Sequence, residues 1–245
     1  MQDPSSPSLP DNDAPDPAAA VAGTPVARKR PQPGERRLQI LQTLASMLEQ
    51  PGAERVTTAA LAARLSVSEA ALYRHFASKA QMFEGLIDFI EQSVFSLVQQ
   101  IVGRDGVALP GAPGGATAHA AAADGEPGVE RSAEVGAQQA ARVVAAVLQF
   151  GERNPGMARV MVGDALVFEH DRLQQRMNQL FERLESTLRQ CLRPVKAASA
   201  TPTVDTQVAA SVLTAFAVGR LQRYARSGFK RLPCEQLQAS LALMI

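Results

Sequence analysis

A helical spacing of apolar side chains continues along most of this chain of 245 residues, and no other feature constrains its fold as strongly. In the segment 35–50, Leu38, Leu41, Leu44 and Leu48 recur at intervals of three and four residues and so share one stripe of a helix. No segment alternates apolar and polar residues as a half-buried strand does. We therefore predict an all-α fold, with helices at 35–50, after Thr57 or Thr58, after Ser68, from Ser78 to about Val102, and near 137–152, 155–167, 171–193, 204–226 and 235–244.

Two segments lack this spacing and divide the chain. Residues 1–34 are rich in proline, alanine and aspartate, which predicts a disordered acidic tail that ends in a basic arm. Residues 103–136 are rich in glycine, alanine and proline, which predicts a flexible linker insert. We accordingly predict a first helical unit at 35–80 and a second at 81–245 that contains this insert.

Charge is distributed unevenly, although the formal net charge is only +1. Residues 28–79 contain nine basic and four acidic residues, whereas residues 80–245 contain sixteen of each. A local basic patch attracts polyanions whatever the charge of the whole chain. The distribution therefore favours nucleic-acid binding by the first unit, although an ordinary solvated basic face would have the same composition.

The segment Val56–Phe76 has the pattern of a helix-turn-helix. Two short helices flank the turn Ser66-Val67-Ser68, and Leu72 and Phe76 are apolar anchors for the second helix. A helix presented in this way fits the major groove, which is about 12 Å wide, and small residues at its start allow a close approach. Thr57 and Thr58 precede the first helix, where hydroxyls and free backbone N–H groups can bind phosphates.

This segment, with its Ala-Leu-Tyr-Arg-His-Phe run and the following Ser-Lys, resembles the N-terminal domain of TetR-family regulators. The resemblance implies an N-terminal helix-turn-helix domain and a C-terminal helical dimerisation domain. Members usually have glycine where this chain has Ser66, so we expect Ser66 in a left-handed conformation at a cost of about 1 kcal/mol. The residues we expect to contact double-stranded DNA are Arg36, Arg37, Thr57, Thr58, Ser68, Glu69, Ala70, Tyr73, Arg74, His75 and Lys79.

Four of these residues also have a purely structural interpretation. Tyr73 and His75 could pack against the core, and Arg74 could be an ordinary surface charge. Glu69 could interact with the positive end of its own helix rather than with a cytosine amine.

The second half continues a resemblance to one branch of this family, the nucleoid occlusion factors, through Phe-Gly-Glu-Arg-Asn-Pro-Gly and the helix that follows. That resemblance implies a homodimer that binds palindromic chromosomal sites, with higher-order assembly on DNA left open, and that antagonises the tubulin-like division protein FtsZ when bound to DNA. It places the FtsZ surface at Phe89, Arg153 and Asn154. Phe89 could instead belong to the core, and Asn154 before Pro155 could instead cap a helix.

The predicted dimer interface lies on two amphipathic helices, near 171–193 and 204–226. Two such helices from each subunit can form a four-helix contact about a two-fold axis. The same apolar stripes could instead belong to the core of one chain. The interface residues we predict are Leu173, Met177, Leu180, Leu184, Leu188, Val212 and Phe216.

Several classes of function are disfavoured. No HExxH, CxxC or GxSxG motif occurs, and His75, His119 and His170 are widely separated, so we expect no enzyme, metal or cofactor. The two cysteines suit a reducing compartment, and neither a secretory signal nor a membrane span is evident, so we expect a cytoplasmic protein associated with the nucleoid. The alternative is a ligand-responsive repressor of the TetR type, although the second unit has few aromatic residues to line a ligand pocket.

Overall fold

The computed structural model describes residues 34–50, 56–104, 127–198 and 205–245, and these ranges are helical without any β-strand. None of the helices described is both long and apolar enough to span a bilayer. The all-α prediction is confirmed. The helices are α1 (Glu35–Leu48), α2 (Thr58–Arg64), α3 (Glu69–Tyr73), α4 (Lys79–Arg104), α5 (Pro127–Arg153), α6 (Pro155–Met161), α7 (Asp171–Ala198), α8 (Thr206–Arg226) and α9 (Leu237–Ala242), with a 3-10 turn at Asp164–Leu166 before α7.

The helix-turn-helix consists of α2, α3 and the turn between them. Ser66 has a φ of 54°, so the expected left-handed turn residue is confirmed. Val67 donates its backbone N–H to the carbonyl of Ala62, 3.0 Å away, which closes the turn. Leu72 and Phe76 are each 1% exposed and anchor α3 in the apolar core. That core is one continuous cluster that also includes side chains of α5, α7 and α8.

The predicted linker insert is partly wrong. Helix α4 extends to Arg104, helix α5 already begins at Pro127, and residues 105–126 lie outside the described ranges. Proline is compatible with a helix start because the first N–H of a helix has no partner within it. Gly136 allows α5 to pack closely on α7 and does not mark a flexible segment, since a Cβ there would lie 2.3 Å from the carbonyl oxygen of Cys191 on α7.

The predicted interface on α7 is also wrong. Leu173, Met177, Leu180, Leu184 and Leu188 are each at most 2% exposed within a single chain, so they cannot contact a second one. Helix α7 has one apolar stripe, and the contacts of α7 with α4, α5 and α8 bury it inside the chain. On α8, by contrast, Val212 is 50% exposed and Phe216 is half-buried, so these two residues keep their place in the predicted interface.

Helix α6 joins the helix-turn-helix to the larger helical body. Gly156 packs so closely on α1 that a Cβ there would lie 2.1 Å from the carbonyl oxygen of Ala45. Arg159 donates to the carbonyl of Gln50, 3.3 Å away, just beyond the end of α1. The position of α1 is therefore set by α6 as well as by α4.

Candidate nucleic-acid interface and partner surface

The starts of α2 and α3 are fixed by three side chains from the residues predicted to bind DNA. The Thr57 hydroxyl accepts the N–H of Ala60 at 3.2 Å and caps α2, and the Ser68 hydroxyl accepts the N–H of Ala71 at 3.3 Å and caps α3. The Thr58 hydroxyl donates to the carboxylate of Glu69 at 2.6 Å. This last bond ties the two helix starts together, so Glu69 has a structural partner already.

The surface of α3 that faces solvent combines small and donor side chains. Ser68 and Ala70 are small and exposed, Arg74 is exposed, and Tyr73 is 44% exposed. Within the described part of the chain, the side chains of Tyr73 and Arg74 make no hydrogen bond, which leaves their donors available. The interpretation of Tyr73 as a core residue is therefore not supported.

Arg37 has a structural role that the sequence did not reveal. Its guanidinium donates to the carbonyl of His75 at 2.7 Å and lies 4.2 Å from the ring centroid of Phe76. Arg37 thereby holds the end of α3 against α1. The His75 side chain is half-buried, and the neighbouring Arg36 donates to Gln39 on its own helix at 2.6 Å.

Lys79, the first residue of α4, has a partner far away in the sequence. Its ammonium group forms an ion pair with Glu169, in the segment that connects the 3-10 turn to α7. Nothing local in the sequence signals this pair, because the partners are 90 residues apart. The structure thus directs the Lys79 side chain towards the helical body.

The three residues expected to contact FtsZ lie on α4, at the end of α5 and between α5 and α6. Phe89 is 43% exposed on α4, so its placement in the core is wrong. Arg153 is exposed at the last position of α5. Asn154 does not cap α6 with its side chain, because its amide donates to the carbonyl of Phe150 at 2.8 Å and so stabilises the end of α5.

The end of α5 is held by the C-terminal part of the chain. The Tyr224 hydroxyl donates to the carbonyl of Glu152 at 3.1 Å, and the Cys234 N–H donates to the Glu152 carboxylate at 3.2 Å. Burial first, and then the Glu152 carboxylate, raise the pKa of the Cys234 thiol to about 12. Arg153 therefore lies at a helix end whose position these hydrogen bonds stabilise.

Among the described residues, no group of histidine, cysteine, aspartate and glutamate side chains could hold a metal ion. The side chains grouped at α2 and α3 are instead hydrogen-bond donors and small residues, which suits contact with an extended polyanion.

Sequence comparisons match two separate parts of the chain to known families. Residues 40–86 match the family described as bacterial regulatory proteins, tetR family, and residues 138–245 match a SlmA-like, tetracyclin repressor-like C-terminal domain. The nucleoid occlusion factor SlmA of Idiomarina loihiensis is 43% identical over 215 residues, 87% of this chain and 95% of its own. That of Photobacterium profundum is 46% identical over 202 residues, 82% of this chain and 89% of its own. None of these descriptions names a catalytic activity.

Solved structures support the fold. The TetR-family regulator PfmR of Thermus thermophilus superposes with a TM-score of 0.59 at 19% identity, covering 84% of this chain and 96% of its own. FadR of Bacillus halodurans, a fatty acid degradation regulator, superposes with a TM-score of 0.60 at 13% identity, covering 87% of this chain and 96% of its own. At such identities the likeness concerns the fold alone.

Proposed function

This chain belongs to the SlmA family of nucleoid occlusion factors, and from that membership we propose that it binds palindromic sites on chromosomal DNA as a homodimer. In the DNA-bound state it antagonises the assembly of FtsZ and so blocks division septum formation over the nucleoid. Its place in the cell is then the nucleoid within the cytoplasm.

The observation that carries the DNA-binding part is the solvent face of α3. Ser68 and Ala70 leave room for the edge of a base pair, and Tyr73 and Arg74 have donors without internal partners in the described part of the chain. The caps and the Thr58–Glu69 hydrogen bond fix this helix before DNA arrives, so little ordering is needed on binding. Tyr73 and Arg74 then bind phosphates and base edges in one major groove.

The homodimer part is supported by the exposed face of α8. Val208 is 58% exposed and Val212 is 50% exposed, and the exposed Ala215 and half-buried Phe216 share that side of the helix. An apolar stripe of this kind favours a symmetric contact with the same stripe of a second subunit. Two recognition helices about one DNA turn apart, roughly 34 Å, would then match a palindromic site.

The FtsZ part is supported by Phe89 and Arg153. An exposed aromatic side chain and an arginine are the residue types that most often dominate a protein interface. Arg153 ends α5 just before Pro155 and Gly156 begin α6, and Gly156 packs directly on α1. Arg153 is therefore close in the chain to the joint between the body and the DNA-binding helices.

The decisive experiment is the sedimentation of FtsZ polymers in the presence of this protein. We would first select genomic fragments that the purified protein retains, and derive from them a palindromic duplex and a scrambled duplex of equal length. We expect the palindromic duplex with protein to reduce polymer in the pellet strongly, and the scrambled duplex or the protein alone to reduce it much less.

Two results would contradict the proposal. Failure to bind any duplex at low ionic strength would exclude the DNA-binding part. Binding to the palindromic duplex without any effect on FtsZ, together with release of the duplex by a hydrophobic compound, would instead support a ligand-responsive repressor.

A further inference from the structure

The ion pair between Lys79 and Glu169 lies at the junction between the DNA-binding helices and the body. Lys79 is the first residue of α4 and follows α3 by only a few residues, a position from which an ammonium group can reach a DNA phosphate. In the structure that ammonium binds the Glu169 carboxylate and lies 5.7 Å from the ring centroid of Phe83. The cation is thus already engaged before any DNA is present.

The two partners differ in their access to water. The Glu169 side chain is only 10% exposed, whereas the Lys79 side chain is 28% exposed. A carboxylate held so far from water depends on its cation, because separating the pair leaves a poorly solvated negative charge. A phosphate that attracts Lys79 must therefore compete with Glu169.

We propose that Glu169 is a competing counter-ion for Lys79 and that it lowers the affinity of the protein for duplex DNA. The inference rests on the proposed DNA-binding function and adds to it a residue of the helical body that adjusts affinity without touching DNA.

The test compares Glu169→Gln with the wild type by fluorescence anisotropy on the selected duplex at about 0.1 M salt. We expect E169Q to bind about three- to tenfold more tightly. The gain should vanish in the double variant with Lys79→Gln, which should bind no more tightly than Lys79→Gln alone. If E169Q folds poorly, Glu169→Asp keeps the charge but withdraws it by one methylene group, and we expect it to give a smaller gain.

Glu84→Gln is the matched control. Glu84 also lies on α4 and binds Arg172 at 2.7 Å, so its substitution removes one negative charge and one ion pair without involving Lys79. We expect E84Q to change duplex affinity less than twofold. A similar gain in E84Q would show that the effect reflects net charge only, and would overturn the inference.

Other results would count against either the role of Glu169 or the proposed function. Unchanged or weaker binding by a folded E169Q, or a gain that persists without Lys79, would overturn the role of Glu169 while leaving the proposed function intact. A wild-type protein that binds no duplex would overturn the proposed function itself.

Discussion

Tyr73 is one of the exposed side chains at α3 that we propose to contact DNA. It is 44% exposed on α3, so its removal should alter the free energy of unfolding by no more than about 0.5 kcal/mol. We expect Tyr73→Ala to weaken duplex binding about tenfold, the value for losing one hydrogen bond to a charged phosphate. Tyr73→Phe should lose nearly as much, because the hydroxyl is the donor. Anisotropy titrations measure both, and an unaffected Tyr73→Phe would contradict a contact through the hydroxyl.

The two cysteines give a prediction about pH. Burial raises the pKa of the Cys191 thiol to about 11, and burial with Glu152 raises that of Cys234 to about 12, from ordinary values near 9. The folded state thus favours the protonated thiols. The stability that they contribute is complete below about pH 9 and is lost as the pH rises through 11 to 12.

We therefore expect both thiols to resist alkylation by iodoacetamide at pH 8 in the folded protein and to react readily in guanidinium. The urea midpoint should fall between pH 8 and pH 10.5, and it should fall less in Cys191→Ala. Rapid alkylation of the folded protein at pH 8 would show that the thiols are not protected.

At the scale of the elements, Gly136 determines how closely α5 can approach α7. A Cβ at this position would lie 2.3 Å from the backbone oxygen of Cys191, and backbone cannot move aside cheaply. We expect Gly136→Ala to reduce the free energy of unfolding by about 2–3 kcal/mol. The control is Gly103→Ala on α4, where a Cβ would meet nothing within 4 Å. We expect this variant to raise the free energy of unfolding by up to about 1 kcal/mol, because alanine favours a helix more than glycine does. Urea unfolding would measure both, and equal effects would contradict the packing argument.

The helices themselves were largely predictable, because apolar spacing and capping residues are local signals. Thr57 and Ser68 cap α2 and α3 as the sequence predicts, and Ser78 accepts the N–H of Gln81 at the start of α4. Residues 127–136 were not predictable as helix, because glycine by itself favours loops. The reason for a glycine at position 136 is the close approach of α7, which the local sequence does not show. The leucines of α7 form a correct stripe, but spacing alone does not say whether a stripe faces its own core or a second chain.

The candidate site was predictable only where its residues act locally. The outward positions of Ser68, Ala70 and Arg74 follow from the helix that carries them. The partners of Arg37 and Lys79 depend on tertiary packing, since one bonds a carbonyl 38 residues away and the other a carboxylate 90 residues away.

At the scale of the whole molecule, the exposed stripe of α8 predicts how two subunits meet. We expect Val212→Glu to yield monomers in light scattering, because a charge would be buried in an apolar contact. Its duplex affinity should fall at least tenfold, since each monomer holds only one half-site. Leu243→Glu is the matched control, because Leu243 is 88% exposed and lies outside α8, and it should stay dimeric. A dimeric Val212→Glu would place the interface elsewhere.

The surfaces proposed for DNA and for FtsZ lie on different elements, so the two proposed activities should be separable by mutation. Arg153 is exposed at the end of α5, whereas the residues proposed to contact DNA lie at α3. Arg153→Asp should therefore bind duplex as the wild type does and yet fail to reduce FtsZ polymer. Arg193→Asp is the control. Arg193 is an exposed arginine near the part of α7 that packs on Gly136. Because α5 extends about 25 Å from Gly136 to Arg153, Arg193 is far from Arg153. We expect Arg193→Asp to keep both activities. Anisotropy and sedimentation on the same preparations would decide, and a joint loss of both activities in a folded Arg153→Asp would show that one surface serves both partners.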